Sequence, residues 1–429
     1  MKSIIQPVKG TRDYYPGDMA VRIWLYETLR KISEAFGYEE YEGPFLESIE
    51  LYAARSGDEL VKEQSYVFED RGGNLITLRP ELTPTLTRMI AQRQNQLNFP
   101  LRWWSFGPFW RYERPQKGRT REFFQWNIDL IGAYSPVADA ELVAIIANFF
   151  QEVGLTPKDA SIFVNNRQLM EIELANLAVK PAQLKDIFRL IDRLDKMENS
   201  AWESYAVEVG LSRVQIKGLS ELLANNVLWK NSEALCGLFP ALDALGVSEY
   251  VQFSPTVIRG LDYYTGTVFE AQSIRGNLRR SILGGGRYDN LLAAVGGSPL
   301  PAVGFAMGDL VITILLGELE LIPDTIKSPP AQVFVTVFDE NYLHASLSLA
   351  SELRKFGINV SCYPQGEKLT KQLKYADRSG YRVVVLIGPE ELASEKVTLK
   401  DLKRGTQQTI PKADCLQTIQ RILSVDLPS

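Results

Sequence analysis

Residues 124–130 alternate between apolar and polar side chains, and this alternation constrains the fold more than any other feature of the sequence. Successive side chains of a strand point to opposite faces. The apolar face holds Phe124, Trp126, Ile128 and Leu130, and the other face holds Phe123, Gln125, Asn127 and Asp129. We expect the apolar face to lie on a hydrophobic core and the polar face to form the floor of a pocket.

A basic segment comes directly before this strand. Between residues 102 and 121, six cations face one carboxylate, Glu113, which gives a local charge of six minus one, or plus 5. The cations are Arg102, Arg111, Arg114, Lys117, Arg119 and Arg121. One guanidinium group can donate to two phosphate oxygens at once, so the segment is a candidate phosphate site. The alternative is a solvated turn.

The content of histidine and cysteine excludes several kinds of catalysis. The chain of 429 residues has one His and three Cys, without the spacing of a zinc site. A Ser-His-Asp triad would have to use His344. Catalysis is therefore expected to rely on arginines, carboxylates, tyrosines and amides.

Charge and hydropathy predict a cytoplasmic protein that does not enter membranes. The sequence has 47 Lys and Arg against 52 Asp and Glu, and it contains no uninterrupted apolar run long enough to span a bilayer. The start of the chain lacks the pattern of a signal peptide, and scattered free thiols suit a reducing compartment.

The pattern of residues also predicts how the chain divides. Residues 1–322 form a first domain, and residues 167–245, which are rich in Leu, Ala, Lys and Glu, form a helical insertion within it. Residues 323–330 are a linker. Strands at 333–338, 358–362 and 382–387 alternate with helices at 342–356 and 369–379, so residues 331–429 form a small α/β domain.

Three further motifs carry weaker signals. Glu81 and Thr83 precede a helix predicted to begin near Thr85, and they suit either capture of an ammonium group or helix capping. The segment 259–264, with the sequence RGLDYY, combines an arginine with an acid and two tyrosines. Glycines at 284–286, 304 and 308 do not form a nucleotide-binding loop. In strands they allow close approach of a ligand or of backbone, for example a flat ligand.

Taken together, these motifs resemble the histidine–tRNA ligase family of class II aminoacyl-tRNA synthetases. The resemblance rests on KGTRD at 9–13, the helix ending at 36–38 before Pro44, FWRYERPQ at 109–116, RGLDYY at 259–264 and GGRYD at 285–289. It implies an α+β catalytic domain with a mixed, largely antiparallel sheet flanked by helices, a C-terminal anticodon-binding α/β domain, and a homodimer formed partly near Pro44.

The resemblance also implies a reaction and roles for individual residues. The substrates are L-histidine, ATP with Mg²⁺, and tRNA(His), and no metal is held by the protein alone. Arg111 and Arg259 are the catalytic residues; Glu81, Thr83 and Gln125 hold the histidine ammonium, and Asp129, Tyr263 and Tyr264 surround the imidazole. Arg111, Glu113, Arg119 and Arg121 contact ATP, and Arg114 and Gln116 contact the tRNA acceptor end. A basic stripe at Lys368, Lys371, Lys374 and Arg378 suits RNA phosphates or a solvated helix face.

Three positions depart from the pattern of the family. Val311 stands where an arginine usually holds the γ-phosphate, Asp129 where a glutamate is common, and Phe124 where a histidine is common. The main alternative, which rests mainly on Val311, is a catalytically silent paralogue, such as the histidine-sensing regulatory subunit of ATP phosphoribosyltransferase. Another is a tRNA-binding protein without catalysis.

Overall fold

The computed structural model describes residues 4–53, 63–194, 197–259, 263–275, 281–327 and 329–424. The chain forms two compact units, residues 1–322 and 323–429.

The first unit contains a mixed sheet and a smaller second sheet. Its strands are β1 (Glu39–Glu40), β2 (Leu46–Ser48), β3 (Tyr66–Glu69), β4 (Leu75–Leu78), β5 (Leu101–Trp110), β6 (Glu122–Ile131), β7 (Ala160–Asn166), β8 (Val251–Phe253), β9 (Thr267–Ser273), β10 (Ser281–Arg287) and β11 (Ala302–Gly308). Eight of them pair in the order β1-β5-β6-β11-β10-β9-β7-β8, and the other three in the order β2-β4-β3. In the large sheet β1–β5 and β7–β8 are parallel pairs and the other neighbours are antiparallel. The expected mixed, largely antiparallel sheet is confirmed.

Helices surround this sheet. They are α1 (Pro16–Ala35), α2 (Ile49–Ala53), α3 (Thr83–Arg93), α4 (Pro136–Glu152), α5 (Arg167–Asn176), α6 (Leu184–Asp192), α7 (Asn199–Glu208), α8 (Arg213–Leu223), α9 (Glu233–Ala244) and α10 (Asp309–Glu318). Helices α5 to α9 lie between β7 and β8, in the segment whose composition predicts an insertion, and they share a core of their own around Ile187, Leu190 and Trp202. The side chains of Asn166 and Ser232 cap α5 and α9.

The alternation at residues 124–130 produces the two faces of β6. Trp126, Ile128 and Leu130 are buried in the main core with α1 and α4. The indole Nε1 of Trp126 donates to Ser33 Oγ at 3.1 Å, which satisfies its one polar atom. The opposite face of β6 is thereby directed away from this core, toward the candidate site.

The second unit has a single five-stranded sheet with helices. Its elements are β12 (Val333–Val335), α11 (Leu343–Lys355), β13 (Val360–Cys362), α12 (Leu369–Arg378), β14 (Val383–Leu386), α13 (Pro389–Ala393), β15 (Lys396–Asp401), β16 (Thr406–Pro411) and α14 (Cys415–Ser424). The order is β13-β12-β14-β15-β16, and the first three strands are parallel. The expected α/β fold is confirmed, although the sequence did not predict β15 and β16.

The first strand of this unit is shorter than its apolar run predicts. The run continues to Phe338, but β12 ends at Val335. The buried amide of Gln372 accepts from the Val337 N–H at 2.9 Å and donates to the Val337 carbonyl at 2.6 Å. These two bonds satisfy the backbone of Val337 in place of hydrogen bonds to a neighbouring strand. His344 is exposed on α11.

None of the helices that the structure describes is both long enough and apolar enough to cross a membrane.

Candidate active site

An open cleft of about 1330 Å³ lies over the polar face of the large sheet. Its walls include residues of β6, β9, β10 and β11, the loop between β5 and β6, and the first turn of α10. This volume exceeds that of an ordinary small-molecule pocket, so the cleft has room for a large ligand. Of the predicted site residues, six line the cleft: Arg111, Glu113, Gln116, Arg119, Gln125 and Arg259.

The basic loop at 111–121 is held in a defined shape. Gln116 and Arg119 exchange backbone hydrogen bonds of 3.0 and 2.8 Å, which close its tip. The Arg119 guanidinium lies 2.9 Å from a carboxylate oxygen of Glu113. Arg111 Nε donates to the Pro80 carbonyl at 2.9 Å, which links the loop to the Glu81 segment. These contacts hold Arg111 and Arg119 at the wall of the cleft.

Two predicted residues of this loop are not among the lining residues of the cleft. Arg121 Nε donates to the Glu113 carbonyl at 3.1 Å, and its aliphatic part lies against Gly10. Its guanidinium lies 4.0 Å from the centre of the Tyr112 ring. Arg114 is exposed. The contacts of Arg121 support the fold of the loop.

Arg259 adopts an unusual backbone conformation at the cleft. Its φ is +60°, in the left-handed region that few residues other than glycine adopt. Its Nη1 lies 2.6 Å from Glu270 Oε2, and the side chain is 23% exposed. This ion pair fixes the guanidinium and leaves it partly open to the cleft. Gly260, Leu261 and Asp262, which follow it in the RGLDYY motif, lie outside the described residues.

Three glycines in β10 and β11 make room for three polar side chains. An added Cβ at Gly284 would overlap the Arg259 guanidinium, and one at Gly304 would overlap the Asp129 carboxylate. At Gly286 it would lie 2.9 Å from the Tyr264 ring. The sequence suggested close approach of a flat ligand or backbone. Instead, the protein's own side chains cover these glycines, so the ligand would contact those side chains.

A second group of predicted residues forms a buried polar cluster beside the cleft. Asp129 is 4% exposed and Glu81 is 6% exposed. The Tyr288 hydroxyl donates to Asp129, and the hydroxyls of Thr83 and Tyr263 interact. The charges of Glu81 and Asp129 contribute to raising the pKa of both Tyr263 and Tyr264. The cluster thus unites Glu81, Thr83, Asp129, Tyr263 and Tyr264, and Arg259 links it electrostatically to the cleft.

Burial changes the ionisation of this cluster. Desolvation raises the pKa of Asp129 from 3.8 to about 7, although the hydrogen bond from Tyr288 lowers it. Burial likewise raises the pKa of Tyr263 and Tyr264. At neutral pH the tyrosines are therefore neutral donors and Asp129 is close to its titration point.

The helix that carries Thr83 begins earlier than the sequence predicts. Helix α3 starts at Thr83, not near Thr85, and its N-cap residue Leu82 has no side-chain capping bond. Tyr52 donates to the Glu81 carbonyl at 3.3 Å and interacts with Thr85 Oγ1 at 3.2 Å. Thr83 does not cap the helix, so its hydroxyl is free of that role.

Two residues beside the site, Tyr288 and Arg79, were not identified as functional from the sequence. Tyr288 lies in the GGRYD motif and donates to Asp129. The indication in the sequence was that it closely follows the glycines at 284–286. Arg79 is fully buried, binds Glu42, and donates to the carbonyls of Pro108 at 3.0 Å and Gly43 at 3.1 Å. Rings of Phe45 and Phe109 lie on it at 4.6 and 4.5 Å. An arginine inside an apolar strand-like run was the only signal for it.

Position 311 offers no cation to the cleft. Val311 lies in the first turn of α10, lines the cleft and packs on the main core. In the same turn, Asp309 pairs with Arg12 at 2.8 Å and accepts from the Phe124 N–H at 3.0 Å. An ion pair between Asp309 and the N-terminal segment therefore holds this end of the helix.

Residues 10–309 match the family model described as Histidyl-tRNA synthetase, and residues 332–422 match the Anticodon binding domain model. The chain is 34% identical over 435 residues to the histidine–tRNA ligase of Leptospira biflexa serovar Patoc, over 97% of each chain. It is 37% identical over 418 residues to that of Halobacterium salinarum, over 95% of this chain and 96% of the other. The crystal structure of histidyl-tRNA synthetase from Nostoc sp. PCC 7120 aligns with a TM-score of 0.82 and 26% identity, over 98% of this chain and 100% of that one.

Neighbouring glycines of β10 should respond differently to substitution. A methyl group at Gly285 would meet the Gly304 carbonyl and the Phe269 and Phe305 side chains, none of which can move freely. We expect Gly285→Ala to lower the free energy of unfolding by about 3 kcal/mol. At Gly284 the methyl group would meet only the mobile end of Arg259, so Gly284→Ala should lower it by less than about 1 kcal/mol.

Urea denaturation measures both changes, with Gly317→Ala on the exposed face of α10 as the control. Equal losses at positions 284 and 285 would show that the crowding at Gly285 is misjudged.

Asp129→Asn should stabilise the ligand-free protein at alkaline pH. The carboxyl has a raised pKa of about 7 in the fold against 3.8 ordinarily, so the folded state binds its proton more tightly. The resulting stability is lost as the pH rises from about 4 to about 7, and the loss is complete at pH 8. We expect the substitution to raise the free energy of unfolding by about 2 kcal/mol at pH 8, and by less at pH 5.

The measurement is urea denaturation at both pH values, compared with Asp377→Asn on the exposed side of α12. A gain that does not change between pH 8 and pH 5 would contradict the assignment of a buried, ionisable Asp129.

Proposed function

Because the chain belongs to the histidyl-tRNA synthetase family, we propose that it attaches L-histidine to tRNA(His) in an ATP-dependent reaction that passes through histidyl-adenylate. Membership of the family confirms the resemblance that the sequence predicted. The observation that carries the proposal is the junction of an arginine-lined cleft with a buried polar cluster, which share Arg259 as their common neighbour.

Histidine is proposed to occupy the buried cluster. Glu81, Thr83 and Gln125 would hold its ammonium group, and Arg111 and Arg259 its carboxylate. Asp129 and Tyr264 would bind the two imidazole nitrogens, with Tyr263 beside them. Support comes from the burial of Glu81 and Asp129, because buried carboxylates favour a ligand that donates hydrogen bonds to them over one that cannot.

ATP is proposed to lie in the cleft with its phosphates along the basic loop. Arg111 and Arg119 line the cleft, and Glu113 orients Arg119 at 2.9 Å. Arg121 would contribute by holding the loop in shape and not by contacting ATP, because its guanidinium donates to main-chain carbonyls. No group of three or more His, Cys, Asp or Glu side chains in the described ranges could hold a metal ion. Mg²⁺ would therefore enter mainly on the ATP phosphates.

The proposed chemistry needs charge stabilisation and no protein nucleophile. A carboxylate oxygen of histidine attacks the α-phosphorus of ATP, and the bond to pyrophosphate breaks. A terminal ribose hydroxyl of the tRNA then attacks the carbonyl of the adenylate, and AMP leaves. Arg259 and Arg111 would stabilise the negative charge that develops on the α-phosphate. This chemistry agrees with a chain that contains one His and three Cys.

The missing cation at position 311 defines how ATP would be bound. With Val311 in the wall and Asp309 paired to Arg12, the terminal phosphate would depend on Arg119 of the basic loop. Arg119 is 55% exposed and therefore able to move toward a ligand.

The tRNA is proposed to contact both units. Arg114 and Gln116, both exposed at the loop tip, would approach the acceptor end. Residues 332–422 match the anticodon-binding domain family. Lys374 and Arg378 are exposed on α12, and Lys368 is exposed at its N-cap. Phosphate contacts by such cations give affinity, whereas contacts to unstacked bases give specificity.

The regulatory paralogue is not favoured. Such regulators typically lack a C-terminal domain, whereas this chain has an anticodon-binding domain at 332–422. The sequence RGLDYY is complete at 259–264. Val311 remains the one departure that motivated this alternative.

Histidine-dependent exchange of labelled pyrophosphate into ATP tests the proposal. We expect the protein to catalyse this exchange with histidine and to show none with other amino acids, because only imidazole satisfies both Asp129 and Tyr264. Exchange requires no tRNA, so it isolates the first half-reaction. Histidine binding without any exchange would refute the synthetase proposal and support the regulator.

Arg259→Ala should reduce the rate of exchange about 100-fold or more while changing the dissociation constant for histidine much less. The guanidinium would act mainly on charge that develops during the reaction. Arg189→Ala, an exposed arginine of α6 at 57% exposure, is the matched control. If histidine affinity and exchange fell by the same factor, Arg259 would be a binding residue only.

A homodimer is proposed to form through the small sheet. Its strand register puts Leu46, Tyr66, Phe68, Ile76 and Leu78 on one face, and Leu46 and Phe68 are 48% and 45% exposed. Burial of such a face in a second copy of the chain would remove apolar surface from water.

Phe68→Glu should therefore shift the protein toward monomer in sedimentation equilibrium at micromolar concentration, because association would bury the new charge. Val214→Glu, on exposed apolar surface of α8, is the control. An unchanged mass for Phe68→Glu would exclude this face as the interface.

A further inference from the structure

The described part of the chain contains a buried tyrosine hydroxyl near Asp129 to which no function has been assigned. Tyr41 follows β1, and its N–H donates to the Trp104 carbonyl at 2.9 Å. Its ring packs on Trp103 with 5.3 Å between ring centres. In the pairing of β5 with β6, Trp103 lies directly opposite Asp129. Directly opposed residues of a sheet share a face, so Tyr41 lies at the Asp129 end of the polar cluster.

The hydroxyl of Tyr41 is buried and has no hydrogen-bond partner among the residues that the structure describes. Buried phenol hydroxyls normally have a partner, because an unpaired one loses its hydration without compensation. The pKa of Tyr41 is raised well above its ordinary value by burial, and among charged neighbours Asp129 contributes most to the rise. A polar ligand atom at this position would satisfy the hydroxyl.

Within the part of the chain that the structure describes, the protein uses only part of the hydrogen-bonding capacity of the Asp129 carboxylate. Asp129 accepts a hydrogen bond from Tyr288, and the missing side chain of Gly304 gives its carboxylate space. Tyr41, Tyr263 and Tyr288 belong to one apolar cluster around this group. An aspartate side chain is one methylene shorter than that of glutamate. Its carboxylate oxygens therefore extend less far into the proposed histidine site than those of a glutamate would.

We propose that Tyr41 is a further specificity-determining residue, whose hydroxyl lies at the Asp129 end of the imidazole subsite and supplies the polar reach that the short aspartate lacks. The inference rests on the proposed function, because it takes histidine as the ligand. A ligand with an apolar ring would leave the Tyr41 hydroxyl unpaired and the Asp129 carboxylate with Tyr288 as its hydrogen-bond donor, both in a desolvated place, and such sites reject the wrong ligand strongly. Tyr41 would thus contribute to affinity for histidine and to its selection.

Tyr41→Phe removes only the hydroxyl and keeps the ring on Trp103. We expect the KM for histidine in pyrophosphate exchange, and the dissociation constant from calorimetry, to rise about tenfold. The KM for ATP and the kcat should change less than about twofold, since the hydroxyl does not face the cleft.

Tyr26→Phe is the matched control. The Tyr26 ring packs on Trp104, on the other face of the same strand, at 6.0 Å between ring centres. Its hydroxyl donates to Glu40 at 2.6 Å, outside the site. This variant should keep the histidine KM of the unchanged protein.

A double variant separates a specific role from a structural one. In Tyr41→Phe with Asp129→Glu, the longer carboxylate can enter the space of the lost hydroxyl and reach the imidazole. We expect its histidine KM to return to within about threefold of the original value, whereas Asp129→Glu alone should raise KM because the carboxylate crowds the hydroxyl. A merely structural loss at Tyr41 would not be rescued.

The outcomes distinguish this inference from the proposed function. An unchanged histidine KM in Tyr41→Phe, or losses that simply add in the double variant, would overturn the role of Tyr41 and leave the synthetase proposal intact. Failure of the unchanged protein to bind histidine at all would overturn both.

Discussion

The site depends on three places in β10 and β11 where the sheet carries no side chain. Gly284, Gly286 and Gly304 leave space that Arg259, Tyr264 and Asp129 fill. A methyl group at any of them would displace the polar group above it. At Gly284 only the far end of Arg259 would have to shift, whereas at Gly286 and Gly304 the methyl group would also meet a backbone carbonyl in a densely packed interior. The glycines therefore decide which polar groups converge on one face of the sheet, and they connect the arginine-lined cleft to the buried cluster.

Burial away from water determines the protonation states proposed for the polar groups of this site. Asp129 has a pKa raised to about 7 because it is buried, and Tyr263, Tyr264 and Tyr288 are kept neutral for the same reason. A site of this kind opposes folding when empty and gains most from a ligand that pairs with every group. Arg79, buried against Glu42, Gly43 and Pro108, holds the Glu81 segment in position for such a ligand.

Local pattern predicted much of the fold, and tertiary contacts decided the rest. The alternation around Trp126 and Asp129 identified the central strand and its two faces, since strand periodicity is a local property. The role of the glycines was not readable, because nothing local says that Gly284 faces Arg259. The early end of β12 depends on Gln372, which is distant in sequence. Tyr41 and Tyr288 join the site only through pairing of remote strands.

We propose that this site activates histidine although Val311 offers no cation to ATP. A single-turnover reaction with α-labelled ATP, histidine and excess protein measures this most directly. We predict histidine-dependent conversion of the labelled ATP to histidyl-adenylate, which disappears with release of AMP when tRNA(His) is added. Histidine binding with unreacted ATP would contradict it, and would mean that the fold retains the amino-acid site without the chemistry.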